Sequence, residues 1–139
     1  MDIKKTEWGY VIRLYKGEEI VQSLTSFVRD NKISYCTLSG IGACTNANLS
    51  YYSMTELVYM KKDFNNYYEI ISLQGNIISN ENQTVVHAHI LLSDDEFKCF
   101  GGHLNKATVT ATCEINLFIS KEKIKREIES DSGLNLLSL

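Results

Sequence analysis

The hydrophobic residues of this chain change period only once. Between Lys16-Gly17 and Asn31, residues Ile20, Val21, Leu24, Phe27 and Val28 recur at the spacing of one helical face. Glu18 and Glu19 stand in the expected first turn, where the helix dipole favours negative charge, and the helix is expected to end near Asn31. Elsewhere the apolar stretches are short, rich in β-branched and aromatic residues, and bounded by glycine or polar clusters, as strands are. Strands joined mostly by hairpins, with one early helix laid across them, predict an α+β domain with a mostly antiparallel sheet. At 139 residues the chain is one domain, 1–139, able to bury a core without disulfides or structural metal.

The expected strands are 8–15, 33–38, 48–52, 68–78 and 108–119, with 85–92 and 97–104 as arms of a hairpin about Ser93-Asp94-Asp95-Glu96. Ser39-Gly40-Ile41-Gly42 reads as a turn at a strand end, since glycine permits positive φ and the segment lacks the lysine and spacing of a phosphate loop. The segment from Tyr52 through Asn66 reads as irregular and polar. Residues 121–139 fit two descriptions: Ile124 and Ile128 suit one helical face, while Gly133 and the leucine-rich end suit an extended arm.

With 14 Lys+Arg against 17 Asp+Glu, the net charge of −3 excludes nucleic-acid binding through bulk positive charge, so a DNA role needs a local patch. Cys36, Cys44, Cys99 and Cys113 form no CxxC pair and lie in or beside apolar runs, so all four read as reduced, buried small hydrophobes. The first residues are charged where a signal peptide needs its apolar stretch, and no window approaches ~18 consecutive apolar residues. A cytoplasmic protein without a membrane partner is expected.

All three histidines, His87, His89 and His103, fall within the expected hairpin. Side chains at i and i+2 of a strand share a face, so His87 and His89 project together. A turn centred on Asp95 places His103 opposite His87, with Cβ atoms ~5 Å apart, and Gly101-Gly102 offers room for a bulge. Three imidazoles converging from two strands are a ligand set for Zn²⁺, with a fourth position open to water or substrate; nickel, copper or iron suit the same donors. The alternative is a cluster of surface or interface histidines.

Other candidates carry less chemistry. Ser39 lacks the GxSxG context of a nucleophile. Glu69, flanked by apolar residues with Tyr68 beside it, is a candidate general base, a partner behind a ligand histidine, or a subunit-interface residue; the two structural roles are favoured. The run Lys121-Glu122-Lys123-Ile124-Lys125-Arg126 reads as a solvated face. Arg13, Arg29 and Arg126 are the arginines available to clamp a carboxylate.

Leu38-Ser39-Gly40-Ile41-Gly42, Tyr68-Glu69-Ile70-Ile71-Ser72-Leu73-Gln74-Gly75, His87-Ala88-His89, Gly101-Gly102-His103-Leu104 and Ser132-Gly133-Leu134 together resemble, in order and over nearly the whole chain, the plants-and-prokaryotes conserved domain family. The likeness is to the stand-alone bacterial and archaeal members, which carry a provisional DNA-binding label, rather than to plant nuclear proteins that add AT-hooks. It implies an α+β subunit assembling as a homotrimer, with His87, His89 and His103 at the family's HxH and GGH positions near a cleft that has held zinc in some prokaryotic members. It also implies a fold similar to acetolactate decarboxylase, a three-histidine metalloenzyme, and a subunit-association role for Glu69. Val86 stands where members often have proline and Tyr67 where they often have arginine, so no salt bridge of that motif carries over. A chain without proline has no Arg-Gly-Arg-Pro hook for the minor groove. Three readings follow: a DNA-binding or regulatory protein with a three-histidine metal site; a zinc-dependent enzyme or sensor acting on a small keto or hydroxy acid; and a scaffold for partner proteins.

Overall fold

The computed structural model describes residues 1–122 and 124–139, in which nine strands and one helix follow in the order β1 (Asp2–Lys5), β2 (Gly9–Tyr15), α1 (Ile20–Asp30), β3 (Tyr35–Ser53), β4 (Val58–Phe64), β5 (Tyr68–Ser79), β6 (Thr84–Ser93), β7 (Cys99–Ser120), β8 (Lys125–Ile128) and β9 (Asn135–Ser138). Seven strands form one antiparallel sheet in the order β1-β2-β7-β6-β5-β3-β4, and β8 pairs with β9 separately. Because β7 also pairs with β3, the strands β3, β5, β6 and β7 close into a ring. The expected α+β architecture is present, with one helix packed across the sheet.

Helix α1 buries Ile20, Leu24, Phe27 and Val28 against a core that includes Leu14, Leu73, Leu92 and Ile115. Each such side chain contributes roughly 1.5–3 kcal/mol by leaving water. Glu19 stands just before the helix, not inside its first turn. Its carboxylate accepts from the amides of Val21 (3.1 Å) and Gln22 (2.6 Å), two donors the helix cannot satisfy itself, and from Ala107 N–H of β7 at 2.9 Å. One side chain thus caps the start of the helix and fastens it to the sheet.

Several expected boundaries move. Ser39-Gly40-Ile41-Gly42 is no turn: β3 runs straight through it, with a bulge between Gly40 and Gly42, so 35–38 and 48–52 belong to one strand that begins two residues later than expected. The glycines serve close approach. A Cβ at Gly42 would lie 2.2 Å from Thr112 O, and one at Gly40 2.9 Å from Glu114 O. The stretch through Asn66 is not irregular, since it contains edge strand β4 paired to β3. The segments 97–104 and 108–119 merge into β7. Within 124–139 the chain forms the β8/β9 hairpin and no helix; Lys123 of the basic run lies outside the described residues. Strand β1, polar and wholly exposed, carried no apolar signal.

The register of the β6/β7 hairpin also differs from expectation: His89, not His87, stands opposite His103. Asp94 N–H donates to Lys98 O, Phe97 N–H donates to Asp94 O, and Phe97 adopts φ 60°. The three-residue loop is therefore centred on Glu96. Moving a turn centre by one residue moves the register by two, which keeps every side chain on its expected face.

Candidate metal centre

His87 and His89 lie on β6 with buried Ala88 between them, whose methyl faces the core and fixes which way the histidines point. His103 on β7 completes the group. Its ring centroid is 5.2 Å from that of His87 and 5.6 Å from that of His89, and the His87 and His89 centroids are 5.4 Å apart. One ring nitrogen from each histidine lies within 4.8 Å of the other two. Three nitrogens at ~2.0–2.1 Å from one tetrahedral ion are ~3.3 Å apart, so small side-chain rotations bring this set to bonding distance. The donor set fits a borderline-soft divalent ion.

Glycines make room for the two histidine strands. A Cβ at Gly75 of β5 would lie 2.2 Å from His87 O, and one at Gly101 of β7 would lie 2.4 Å from Ile90 O. Both ring strands approach their neighbours too closely for any side chain at these positions.

Burial pushes the His87 imidazolium down to a pKa of about 4, helped by the positive charge of Arg126 and by the two other histidines. His103 is lowered as well, first by burial and then by His89 and Arg126. Both rings are therefore neutral near pH 7, the form a metal requires.

Arg126 of β8 reaches across to this cluster. Its Nη2 donates to Asn76 Oδ1 at 2.7 Å and lies 3.1 Å from His87 Nδ1, while Nη1 donates to Asn135 O at 2.6 Å. A guanidinium has no acceptor, so His87 Nδ1 accepts and the ring carries its proton on Nε2. Above the histidines opens a pocket of about 670 Å³ whose walls include Tyr52, Tyr59, Val86, Ile128, Leu134 and Leu136. Tyr59 sits 5.6 Å from the His103 ring and makes an edge contact with Tyr52, whose hydroxyl donates to Ser132 O at 2.6 Å. The β8/β9 hairpin is thus tied down at both ends, and it forms one wall.

The remaining candidates lie elsewhere. Glu69 is exposed on β5, opposite Ala43 and Ser93, and outside the pocket; Tyr68 packs on Phe64 and Phe100. Ser39 Oγ accepts from Gln74 Nε2 at 2.9 Å. Arg13 lies over the Tyr15 ring and Arg29 pairs with Asp30, which leaves Arg126 as the arginine that lines the pocket. The sequence allows it both a place on a solvated face and a role as a carboxylate clamp, and the structure turns it into the pocket. Of the four cysteines, Cys36, Cys44 and Cys113 are buried as expected, but Cys99, the first residue of β7, is exposed. No helix among the described residues is long and apolar enough to cross a membrane.

Comparison with known proteins sets this geometry beside relatives. A protein from Bacteroides thetaiotaomicron, whose name provisionally assigns it DNA binding, is 29% identical and superposes with a TM-score of 0.93 over 99% of this chain and 96% of its own. A metal-containing protein from Archaeoglobus fulgidus is 31% identical with a TM-score of 0.85, each chain covered in full. The bifunctional protein GlmU of Synechococcus sp. strain JA-3-3Ab is 29% identical over 127 residues, but the chain spans only 19% of that relative's length. The sequence profile of the Plants and Prokaryotes Conserved (PCC) domain matches residues 1–121, from β1 to the end of β7 and through all three histidines. The chain belongs to the plants-and-prokaryotes conserved domain family.

Proposed function

We propose that the chain holds a divalent transition metal, zinc foremost, on His87, His89 and His103, and that it acts through this ion on a small molecule in the pocket above. The observation that carries the reading is the convergence of three imidazole nitrogens within 4.8 Å at the base of a pocket of about 670 Å³. The Archaeoglobus relative, metal-containing by name, supports it. Zinc on three neutral imidazoles keeps its full charge and supplies Lewis acidity, able to polarise a carbonyl or to lower the pKa of a bound water to ~7. The chain's own residues do the rest: the three rings hold the ion, Tyr52 and Tyr59 shape the pocket, and the β8/β9 hairpin restricts water. A zinc-dependent enzyme or sensor for a small keto or hydroxy acid is the form this reading takes, in keeping with the implied likeness to acetolactate decarboxylase.

The test is elemental analysis of purified protein beside the double variant His87→Ala/His89→Ala. About one zinc or similar metal per chain in the wild type, and none in the variant, is expected. Metal content unchanged by the double substitution would end this reading.

A DNA-binding or regulatory role is the second reading, favoured by the name of the Bacteroides relative. The net charge of −3 weighs against it, because affinity for duplex DNA rests on phosphate neutralisation. Titration with duplex DNA at low ionic strength decides, and no binding there removes the role.

We further propose a homotrimer in the cytoplasm. Support for self-association comes from the exposed apolar side chains at the β3/β4 edge, among them Tyr51, Met54, Leu57, Val58 and Met60. Glu69 and Tyr68 are proposed to lie at a subunit interface. Light scattering gives the mass, and a monomer at micromolar concentration refutes the assembly. The four unpaired cysteines accord with a reducing compartment.

A further inference from the structure

We infer that the pocket takes an organic anion with an apolar body, its carboxylate bound by Arg126. The inference rests on the metal reading for the identity of the site, but it concerns a different residue on a different element. Arg126 lies beyond residues 1–121, the part matched by the family profile, on the hairpin that closes the pocket.

Charge is the first ground. The Arg126 side chain is half-buried and its Nε wholly so, yet its partners are all neutral: the side chain of Asn76, the carbonyl of Asn135 and the ring of His87. No carboxylate of the described residues pairs with it, and its buried Nε has no hydrogen-bond partner. Even a partly desolvated cation is ordinarily matched by an anion, because an unmatched charge is costly to take out of water. An anion beside Arg126 would lie in the same pocket as the three histidines, because both line it.

The second ground is the contact at 3.1 Å between Arg126 Nη2 and His87 Nδ1. It requires a lone pair on Nδ1. A metal-bound neutral imidazole keeps its proton on the nitrogen not bound to metal and points it at an acceptor, which a guanidinium cannot be. If Nε2 binds the ion, Nδ1 carries a proton and faces donor to donor; if Nδ1 binds the ion, its lone pair is used. In either case the Arg126 to His87 hydrogen bond opens and the guanidinium is left short of one more acceptor. A carboxylate supplies that acceptor, and its fork matches guanidinium geometry.

The third ground is the wall. Val85, Val86, Ile128, Leu134 and Leu136 offer apolar surface around the polar floor, so the rest of the ligand is expected to be aliphatic. Together these features describe a short branched-chain acid, its carboxylate on Arg126 and its hydrocarbon on the hairpin.

Calorimetric titration with 4-methyl-2-oxopentanoate and with its neutral primary amide, on both the metal-free and the zinc-loaded chain, tests this. The wild type is expected to prefer the acid, and Arg126→Met to weaken the acid by roughly 10–100-fold while leaving the amide within a few-fold. Arg126→Lys, which keeps the charge but not the fork, is expected to fall between them. A hairpin merely loosened by the substitution weakens acid and amide alike, and that result overturns the inference. So does a wild type that binds neither, or binds both equally, in both forms. Failure of the metal reading is seen separately: a chain that takes up no zinc can still bind the acid in an Arg126-dependent way.

Discussion

Replacing Gly75 by alanine measures how tightly β5 holds the histidine strand. Gly75 stands between Leu38 of β3 and Ala88 of β6, in the middle of the ring. The added Cβ would fall 2.2 Å from His87 O, 2.7 Å from Ala88 Cα and 3.0 Å from Ala88 Cβ. Ordinary carbon contacts lie at about 3.5–4.0 Å, so β6 must retreat by about 1 Å at the residue between the two histidines. Gly75 does not have the positive φ that L residues avoid, so the cost is steric. Overpacking costs about 1–3 kcal/mol, and the upper end applies because the obstructing atoms belong to β6 backbone and a Cβ rather than to the far end of a flexible side chain. For a domain of this size, about 3 kcal/mol corresponds to a fall in Tm of about 10 °C, read by circular dichroism on the metal-free chain. Because the retreat occurs at His87 and Ala88, zinc affinity should fall with it. Gly17→Ala is the control: its φ of 89° costs roughly 1–2 kcal/mol, but its Cβ meets nothing within 4 Å and zinc affinity should hold. A Gly75→Ala chain that melts within about 2 °C of wild type and binds zinc unchanged would refute the close packing of β5 on β6.

Thiol titration with an aromatic disulfide should label one cysteine rapidly in the native chain, Cys99, and four after denaturation; Cys36 and Cys113 are pushed up to about 12 and Cys44 to about 11, chiefly by burial. Rapid labelling of a second native thiol would contradict the burial. The His87 pKa, depressed to about 4, makes the metal-free fold weaker in acid: between about 6.5 and 4 the unfolded chain binds a proton that the folded chain does not. That stability is complete above about pH 6.5 and lost as pH falls through this window; after discount for solvent exposure of the ring it amounts to about 1–2 kcal/mol. Urea midpoints at several pH values check it, and His87→Gln should flatten the slope. Glu19→Ala should cost about 1–2 kcal/mol through the lost helix cap, with the unpaired Ala107 amide adding to it; a smaller loss would mean that water replaces the carboxylate at all three amides.

Period and parity made much of this molecule readable. The single helix follows from Ile20, Leu24, Phe27 and Val28, all buried as their spacing requires. The histidine cluster follows from i, i+2 geometry, and it survived a wrong turn centre because a shift of two residues keeps the face. What misled was ambiguity in residue type. Glycine suits both a turn and a close strand crossing, and nothing local distinguishes Gly40 and Gly42 from a turn pair until β7 is laid against them. Strand β4 escaped notice because nearly all its residues are exposed, so no alternation marks it. That Arg126, rather than Arg13 or Arg29, reaches the site was unreadable for a different reason. Its meaning comes from Asn76 and His87, 50 and 39 residues away, and a four-residue strand carries too little pattern to say which side chain turns inward.

The ring formed by β3, β5, β6 and β7 also sets an order of events during synthesis. His89 and His103 meet across a hairpin whose partners are 14 positions apart, whereas the β3 to β7 seam joins residues as distant as Tyr35 and Ser120. Local hairpins form in microseconds, while pairings of such long range dominate folding times of milliseconds to seconds. On the ribosome the histidines can meet while the first half of β3 still waits for the C-terminal half of β7 to emerge. An ion captured at that stage would hold β6 and β7 together early, and the nascent chain would depend on chaperones most in the interval before its seam is sealed.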